Sequence, residues 1–549
     1  MSAKVANGGQ SGGMQGLLNA VEKIGNKVPH PVLMFLYLII FVILLSAVLD
    51  LAGASVTETI AVPVETETEY DYYEDTTNPG VVAPSDRYQE DMFELKEVTI
   101  TVNNLLSVEG IRFIFSSFVS NFAGFGVIAV TFIAMMGAGV AEEAGMMGAL
   151  VRKLVAVSPR KALSYILILI GVIMSIASDA GYLILIPLAA AAFLSVGRHP
   201  LAGLAAGFAG VATIFMVNPI IAPIDAMITE IVNEAIGITG GEPISIVANF
   251  FFSVAFSFIM AFVAMLITER LVEPRLGKYV PEEGLDDGGA AEGVAAEGEA
   301  RGLKFATYGF LGILVLVLLL TLPPGAPLRH PETGSIVGNT PFMDSLLFIV
   351  MLFFLVSGTC YGIGAKTMSG ANDVIKAVTK TFSGLGGMVF MLLMISQFIA
   401  FFNYSNLPRL IAVSLAELLE SANLGAIPLL IGFILVIVLL DFIMPGALPK
   451  WAIFAPIFVP LFIRLGVAPQ TLLAAYRIAD SPVNAITPLM VYLPIIVIFA
   501  QRYQKNAGIG TIVALMLPYS VIILIVWTVL FIVWFLLGIP LGPGYLPGV

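Results

Sequence analysis

The sequence predicts an all-α polytopic membrane protein made of two inverted repeats, with re-entrant helical hairpins and broken helices. Of its 549 residues, 58% are hydrophobic and only 12% are charged, whereas soluble domains carry about 25% charged residues. Apolar runs of about 20 residues, the length of a helix that crosses a bilayer, recur along the chain. Two stretches, 178–223 and 451–488, combine prolines with charged and amide side chains in otherwise apolar sequence. Together these features predict a secondary transporter.

The spanning helices are predicted from apolar runs long enough to cross a hydrocarbon core about 30 Å thick. Two further apolar pieces, 182–196 and 451–465, have about 15 residues and are too short to cross it. We predict that they belong to re-entrant hairpins, near 178–196 and 445–465, because irregular backbone at this depth must be buried in protein or line a cavity. The predicted spanning segments are residues 31–51, 111–140, 161–177, 201–217, 244–267, 304–322, 342–357, 387–402, 427–443, 486–500 and 508–537.

The distribution of Lys and Arg predicts the orientation of the chain, because cytoplasmic loops are enriched in these residues. Basic residues precede the first helix, whereas the loop 56–109 is acidic and is expected outside. The N-terminus is then cytoplasmic and the C-terminus external, and no cleavable signal peptide is expected. The predicted organisation is a cytoplasmic tail (1–30), a first spanning helix (31–51), an acidic external loop (52–110), repeat 1 (111–267), a cytoplasmic linker (268–303), connecting spanning helices (304–384), repeat 2 (385–538) and an external tail (539–549).

The two proline-broken stretches resemble each other in order and spacing. Tyr182 lies 41 residues before Pro223, and Trp451 lies 37 residues before Pro488. By the charge rule, the helix before the first stretch starts inside and the helix before the second starts outside, so the repeats are inverted. Inverted repeats with interrupted helices are typical of alternating-access transporters, whose substrate site lies where the interruptions meet. Chance similarity of proline-containing apolar sequence is the alternative.

Asp179, between Ser178 and Gly181, is predicted to lie at the tip of the first hairpin. An unpaired carboxylate is costly inside a membrane, so an acidic residue there is a functional candidate. We predict that Asp179 couples transport to a cation or a proton and that Ser178 contacts the substrate. A helix N-cap is the alternative role for Asp179, and the two roles are compatible.

Asn218 precedes Pro219, which removes a backbone donor and disfavours helix at the residue before it. The freed carbonyl groups and the Asn218 amide could bind Na⁺, which prefers oxygen ligands, in a site completed by Asp179 and Asp480. A simple proline kink is the alternative. Another acid, Asp225, follows a few residues later.

Polar side chains cluster again late in the second stretch. Arg477 is predicted to bind a substrate carboxylate, since its guanidinium can form two parallel hydrogen bonds with that group, with Asn484 and Pro488 close by. Asp480 lies three residues further and would share a helical face with Arg477. It would complete the cation site or hold the arginine, and a structural salt bridge between the two is the alternative. Trp451 is predicted to stack on an aromatic substrate ring, or else to be an interfacial anchor.

Other chemistries are not indicated by the sequence. The single cysteine, Cys360, excludes an internal disulfide, the scattered histidines argue against a zinc site, and no phosphate-binding GxxxxGK[ST] loop is present. Asp441 and Arg464 are expected to be half-exposed. A passive channel, or an enzyme that uses Asp179 and Asp480 as a catalytic pair, is a remote alternative. Neither a cofactor beyond the coupling ion nor a nucleic-acid partner is expected.

Several segments are similar to those of one transporter family. They are KWAIFAPIFVPLF (450–462), AAYRIADSPVNAITPLM (474–490), FAQRYQKNAGIGT (499–511), SDAGYLILIPLAAAAF (178–193), VNPIIAP (217–223) and QFIAFFNYSNL (397–407). In these segments the chain resembles the p-aminobenzoyl-glutamate transporter (AbgT) family, and the resemblance covers nearly the whole sequence apart from the acidic loop and the linker.

The resemblance implies a homodimer in the bacterial inner membrane, each protomer having nine spanning helices and two hairpins. Predicted segments 201–217 and 486–500 would then be half-helices. It implies p-aminobenzoyl-glutamate as substrate, outward movement of sulfonamide antimetabolites by some members, and coupling to Na⁺ or H⁺. The positions that match the family's functional residues are Asp179, Asn218, Trp451, Arg477, Asp480 and Pro488.

The chain departs from the family pattern at the second hairpin tip. The family usually has a GSASAKW motif there, and this chain has Pro445-Gly-Ala-Leu-Pro-Lys-Trp451. It also has Ser481-Pro-Val483 where Ser-Ser-Thr is common. Hydroxyl groups are therefore missing, which leaves open a different organic anion, such as a dicarboxylate, as substrate.

Overall fold

The computed structural model describes residues 31–63, 93–177, 181–281, 298–337, 340–421, 425–442, 446–487 and 489–548. Ser178, Asp179 and Pro488, which carry predicted site roles, lie outside the described residues, as does the tail 1–30. The described chain is predominantly helical.

Helices follow one another along both halves of the chain, with one pair of strands near the start. The first half contains α1 (Pro31–Leu51), β1 (Ser55–Pro63), β2 (Phe93–Thr101), α2 (Val108–Ala123), α3 (Gly126–Glu143), α4 (Met146–Ala156), α5 (Leu163–Met174), α6 (Ile186–Ser195), α7 (Pro200–Phe208), α8 (Pro223–Gly237), α9 (Phe250–Ile267) and α10 (Glu273–Leu276). The second half contains α11 (Glu299–Thr321), α12 (Pro341–Asp344), α13 (Leu346–Ala365), α14 (Ala371–Gly384), α15 (Gly386–Tyr404), α16 (Leu407–Ser421), α17 (Ala426–Asp441), α18 (Ala447–Arg464), α19 (Pro469–Asp480), α20 (Leu493–Gln501) and α21 (Ile509–Leu536). Short 3₁₀ segments are Arg160–Ala162, Ser175–Ala177 and Pro482–Ala485, and π-helical segments are Gly181–Leu185, Ala209–Thr213 and Thr268–Val272.

Membrane-crossing helices dominate the fold. Within the described residues, eight helices are long and apolar enough to cross a bilayer, and nine if α4 and the helix 160–174, which meet at a bend of 115°, form one span. Much of their apolar surface faces outward: only 6% of the most apolar 18-residue stretch of α11 is buried. Such a surface requires an apolar surrounding, and the prediction of a polytopic helical membrane protein is confirmed.

A two-stranded antiparallel sheet follows the first helix, so the fold is not purely α-helical. β1 pairs with β2 along their full length, from Ser55 opposite Thr101 to Pro63 opposite Phe93. Val, Ile and Thr recur in both strands, and β-branched residues favour this conformation. The strands were not predicted, because this region was expected to be only an acidic loop.

The first short apolar piece forms one arm of a helical hairpin. The segment Gly181–Ser195 turns back through residues 196–199 into Pro200–Thr213. Gly203 allows the two arms to approach closely, because a Cβ atom added there would overlap the Ala189 carbonyl oxygen and lie 2.8 Å from the Phe193 Cβ atom. The predicted spanning segment 201–217 therefore ends at an interruption that begins near Ile214.

The second hairpin consists of α18 and α19, joined by residues 465–468. α18 begins at Ala447, four residues earlier than the predicted start at Trp451, because Pro449 lies in the first helical turn, where proline has no hydrogen bond to break. A second interruption, with the 3₁₀ turn Pro482–Ala485, separates α19 from α20. Each half thus has the same order of helix, hairpin, interruption and helix. The inversion of one half relative to the other stays a prediction.

Candidate functional site: a cavity between the hairpins and two buried charge clusters

A cavity of about 390 Å³ lies between elements of both halves. Tyr182 of the first hairpin and Tyr492 beyond the second both line it and stack on each other, with ring centroids 4.2 Å apart and planes 9° apart. The rest of the wall is mainly apolar and rich in methionine, whose flexible side chain adapts to different ligand shapes. Polar residues on the wall include Ser175 and Asn484. The remaining lining residues are Met135, Ile176, Phe215, Pro223, Ile224, Met227, Met388, Met391, Gly446, Ala447, Leu448, Pro449, Leu489, Met490 and Val491.

The predicted substrate residues are only partly brought together. Asn484 lines the cavity, and its Nδ2 donates to the Asp480 carbonyl oxygen at 2.9 Å. Trp451 and Arg477 are not among the described residues that line it. Both are buried behind the wall, with 0% and 1% of their surface exposed.

Trp451 is locked by two contacts in this conformation. Its ring stacks on Tyr476, with centroids 4.3 Å apart, and its Nε1 donates to the Ile228 carbonyl oxygen at 3.2 Å. The alternative of an interfacial anchor is wrong, because an anchor must reach the headgroup region. Stacking of Trp451 on a substrate ring stays a prediction.

Arg477 forms its ion pair with the first half of the chain. Its Nη1 lies 2.6 Å from Asp225 Oδ1 and donates to the Met216 carbonyl oxygen at 2.8 Å, while Nε donates to Asn249 Oδ1 at 3.2 Å. The second Asp225 oxygen accepts the backbone N–H of Ala222 and caps α8. The alternative of an Arg477–Asp480 salt bridge is therefore wrong, since a partner 252 residues away in sequence takes the guanidinium.

Asn218 braces the interruption that follows the first hairpin. Its Nδ2 donates to the Val172 carbonyl oxygen at 2.7 Å, and its backbone N–H and C=O both bond to the Ser253 hydroxyl. Asn218, Ser253, Asp225 and Arg477 also line a void of about 10 Å³, close to the room that one water molecule needs. Asn218 thus lies beside the arginine rather than beside Asp480. Its role as a Na⁺ ligand stays a prediction.

Asp480 belongs to a second charge cluster, which was not predicted from the sequence. Lys450, in the first turn of α18, lies 2.7 Å from Asp480 Oδ1 and also bonds to Asp441 at the end of α17. All three side chains are at most 1% exposed, so the expectation that Asp441 is half-exposed is wrong. The Oδ2 atoms of Asp441 and Asp480 have no hydrogen-bond partner among the described residues. A lysine within an apolar hairpin was the available signal for this cluster.

Comparison with known proteins identifies the family. The model of the AbgT transporter family matches residues 16–548. The chain belongs to the AbgT family. It is 33% identical to the p-aminobenzoyl-glutamate transport protein of Escherichia coli (strain K12) over 548 residues, which is 99% of each sequence.

Two solved structures resemble this AbgT transporter closely. The YdaH transporter of Alcanivorax borkumensis, whose topology is described as unusual, matches with a TM-score of 0.81 and 35% identity, over 94% of this chain and 100% of that one. MtrF of Neisseria gonorrhoeae, described as illuminating a class of antimetabolite efflux pumps, matches with a TM-score of 0.82 and 36% identity, over 96% and 100%. The family is one of multi-pass membrane transporters rather than enzymes, as the resemblance implied.

Proposed function

We propose that this chain is a cation-coupled secondary active transporter of p-aminobenzoyl-glutamate or a related aromatic carboxylate. The observation that carries the proposal is the methionine-rich cavity with stacked tyrosines between the hairpins of the two halves. Its volume of about 390 Å³ lies in the range of about 300–1,000 Å³ typical of small-molecule sites. We further propose a homodimer in the bacterial inner membrane, with the N-terminus in the cytoplasm.

The aromatic ring of the substrate is assigned to the tyrosine pair. Tyr182 and Tyr492 come from different halves and stack on each other in this conformation. A benzoyl ring inserted between them would exchange one stacking contact for two. Stacked aromatic pairs contribute about 0.5–1.5 kcal/mol beyond area burial, so the net gain of one stacked pair contributes about that much to affinity.

The carboxylate of the substrate is assigned to Arg477. The guanidinium is held by Asp225 in this conformation, and the Asp225 carboxylate is the same chemical group that the substrate would present. A substrate carboxylate would replace Asp225 when the two halves separate. The Arg477 side chain is then an anchor that always has an anionic partner, and a bare buried guanidinium is avoided.

Two alternative substrate classes are suggested by the relatives and by the departures from the family pattern at the second hairpin tip. Outward movement of sulfonamide antimetabolites is supported by the likeness to MtrF, described as one of a class of antimetabolite efflux pumps. A dicarboxylate-like organic anion is favoured if the prolines at the second hairpin tip narrow the ring site, since Pro449 lines the cavity.

Uptake of labelled p-aminobenzoyl-glutamate into proteoliposomes tests the proposal. Na⁺ and pH gradients of each sign are imposed separately, and p-aminobenzoate, glutamate, a dicarboxylate and a sulfonamide are added as competitors. We expect saturable uptake that one gradient drives above equilibrium and that the aromatic competitors inhibit. Non-saturating flux that ignores both gradients would identify a passive channel, and inhibition by dicarboxylates alone would identify the other substrate class.

A further inference from the structure

The segment that follows α21 folds back onto the protein. Its residues 541–546, the C-terminal strap, form a tight turn in which the Leu541 backbone N–H donates to the Tyr545 carbonyl oxygen at 2.8 Å. The Leu541 side chain is fully buried. A chain terminus is ordered only where contacts tie it down, and the strap makes such contacts with both halves of the chain.

Two hydrogen bonds join the strap to the first half of the chain. The Ser245 backbone N–H donates to the Tyr545 hydroxyl oxygen at 2.7 Å, and the Phe252 backbone N–H donates to the Leu541 carbonyl oxygen at 3.0 Å. Phe252 lies in the first turn of α9, where a helix leaves backbone donors without a partner of its own. Asn249 lies between these two contact points in the sequence, so the strap holds the backbone on both sides of Asn249.

Close packing fills the space between the two hydrogen bonds. A Cβ atom added at Gly542 would lie 2.0 Å from the Val247 carbonyl oxygen, so only glycine fits at this point of the strap. The Tyr545 side chain packs against the small apolar cluster that contains Val247. On the other side, Gln470 Nε2 at the start of α19 donates to the Leu546 carbonyl oxygen at 2.8 Å. The strap is therefore fixed to the second half and docked against the first.

Asn249 connects the segment held by the strap to the arginine assigned to the substrate. Its Oδ1 accepts from Arg477 Nε at 3.2 Å, and its Nδ2 donates to the Gln470 carbonyl oxygen at 2.8 Å. Asn249 is 2% exposed and lines the same small void as Arg477 and Asp225. It therefore fixes the guanidinium in the orientation in which Nη1 contacts Asp225.

We propose that the C-terminal strap is a clamp on the external side that positions Asn249 and thereby stabilises the state in which Arg477 is paired with Asp225. When the strap is released, residues 245–252 can move and Arg477 loses its contact with Asn249. Asn249 and Tyr545 are positioning residues, since neither is among the described residues that line the cavity. The inference rests on the proposed function, because it concerns how the arginine becomes available to a substrate carboxylate.

Binding of p-aminobenzoyl-glutamate to purified Tyr545→Phe tests the clamp. The variant keeps the ring but loses the hydroxyl that accepts from Ser245. Apparent affinity rises with the fraction of protein in the binding-competent state, and loss of one hydrogen bond of the closed state should lower the Kd about 2- to 10-fold. General damage to the fold would raise the Kd instead. Gly542→Ala, which forces the strap away from Val247, should also lower the Kd, and Tyr308→Phe, an exposed tyrosine on α11, is the matched control.

A double variant tests whether the strap acts through Asn249. Asn249→Ala removes the contact with Arg477 directly and should itself lower the Kd. If the strap acts by positioning Asn249, the addition of Tyr545→Phe to Asn249→Ala should change the Kd by less than about twofold, because coupled changes are not additive. Effects of the two changes that add in full would overturn the positioning role.

Labelling of a cysteine beneath the strap tests the clamp without any substrate. The single native cysteine is removed by Cys360→Ala, and Val247→Cys introduces a thiol at a position that is 4% exposed. A membrane-impermeant maleimide added outside the cell should label this thiol about 2- to 10-fold faster when Tyr545→Phe is also present. Equal labelling rates, or labelling only from the cytoplasmic side, would overturn the external clamp. Absence of p-aminobenzoyl-glutamate binding to wild type would instead contradict the proposed function, and the labelling rates would then decide the clamp alone.

Discussion

Breaking the Arg477–Asp225 pair tests whether it joins the two halves of the transporter. Asp225 is 7% exposed and Arg477 is 1% exposed, and their charged atoms are 2.6 Å apart. Arg477→Met would leave the Asp225 charge buried without a partner, and removal of one member of a buried pair destabilises proteins by about 3–5 kcal/mol. Asp225→Asn would similarly leave the guanidinium with an amide in place of a charge.

The double variant Arg477→Met/Asp225→Asn distinguishes the pair from two independent losses. It contains no buried charge without a partner. We therefore expect its loss of unfolding free energy to be smaller than the sum of the two single losses, by about 0.5–3 kcal/mol. Thermal stability in detergent is measured by size-exclusion chromatography after heating, for wild type, the two single variants and the double variant. Lys380→Met is the control: it breaks the Lys380–Glu143 pair, in which the lysine is 70% exposed, and should cost less than about 1 kcal/mol. Single variants as stable as this control, or strictly additive effects, would refute the reasoning.

Three further predictions concern the cavity, the first hairpin and Asp179. Tyr182→Leu/Tyr492→Leu, which removes both stacking partners of the substrate ring, should weaken binding of p-aminobenzoyl-glutamate about 2- to 10-fold in a titration, from the loss of a net stacking contact of about 0.5–1.5 kcal/mol, and an unchanged Kd would show that the tyrosine pair does not bind the ring. Gly203→Ala should reduce thermal stability by about 1–3 kcal/mol, because the new methyl group would overlap the Ala189 carbonyl oxygen; Gly312→Ala, with nothing within 4 Å, should not. Asp179→Ala should abolish cation-driven uptake at normal surface expression. Uptake at the wild-type level by this variant would contradict a role of Asp179 in cation coupling.

The sequence sufficed for the features that depend on local pattern. Apolar runs of membrane length and the two short pieces between prolines predicted helices and hairpins, and the structure contains a hairpin at each of these pieces. The errors at this level were local. α18 begins at Ala447, with Pro449 in its first turn, rather than at Trp451, and the strands β1 and β2 were missed because acidic residues interrupt their β-branched residues.

Pairings between distant residues could not be predicted in the same way. Arg477 and Asp480 are three residues apart, and this spacing left a salt bridge between them open as an alternative. The fold instead brings Asp225 from the first half to Arg477, and it brings Lys450 and Asp441 to Asp480. Helical periodicity reports which residues share a face but contains no information about which element packs against that face. The lysine next to Trp451 was visible in the sequence, but its two partners were not.

The two charged residues of α19 have their partners in different halves of the transporter. Arg477 is bound to the first half through Asp225, whereas Asp480 is bound within the second half through Lys450. Separation of the halves would therefore break the first pair and leave the second intact. The arginine would be freed for a carboxylate at the moment when the cavity opens, while the lysine would keep the Asp480 side chain in place.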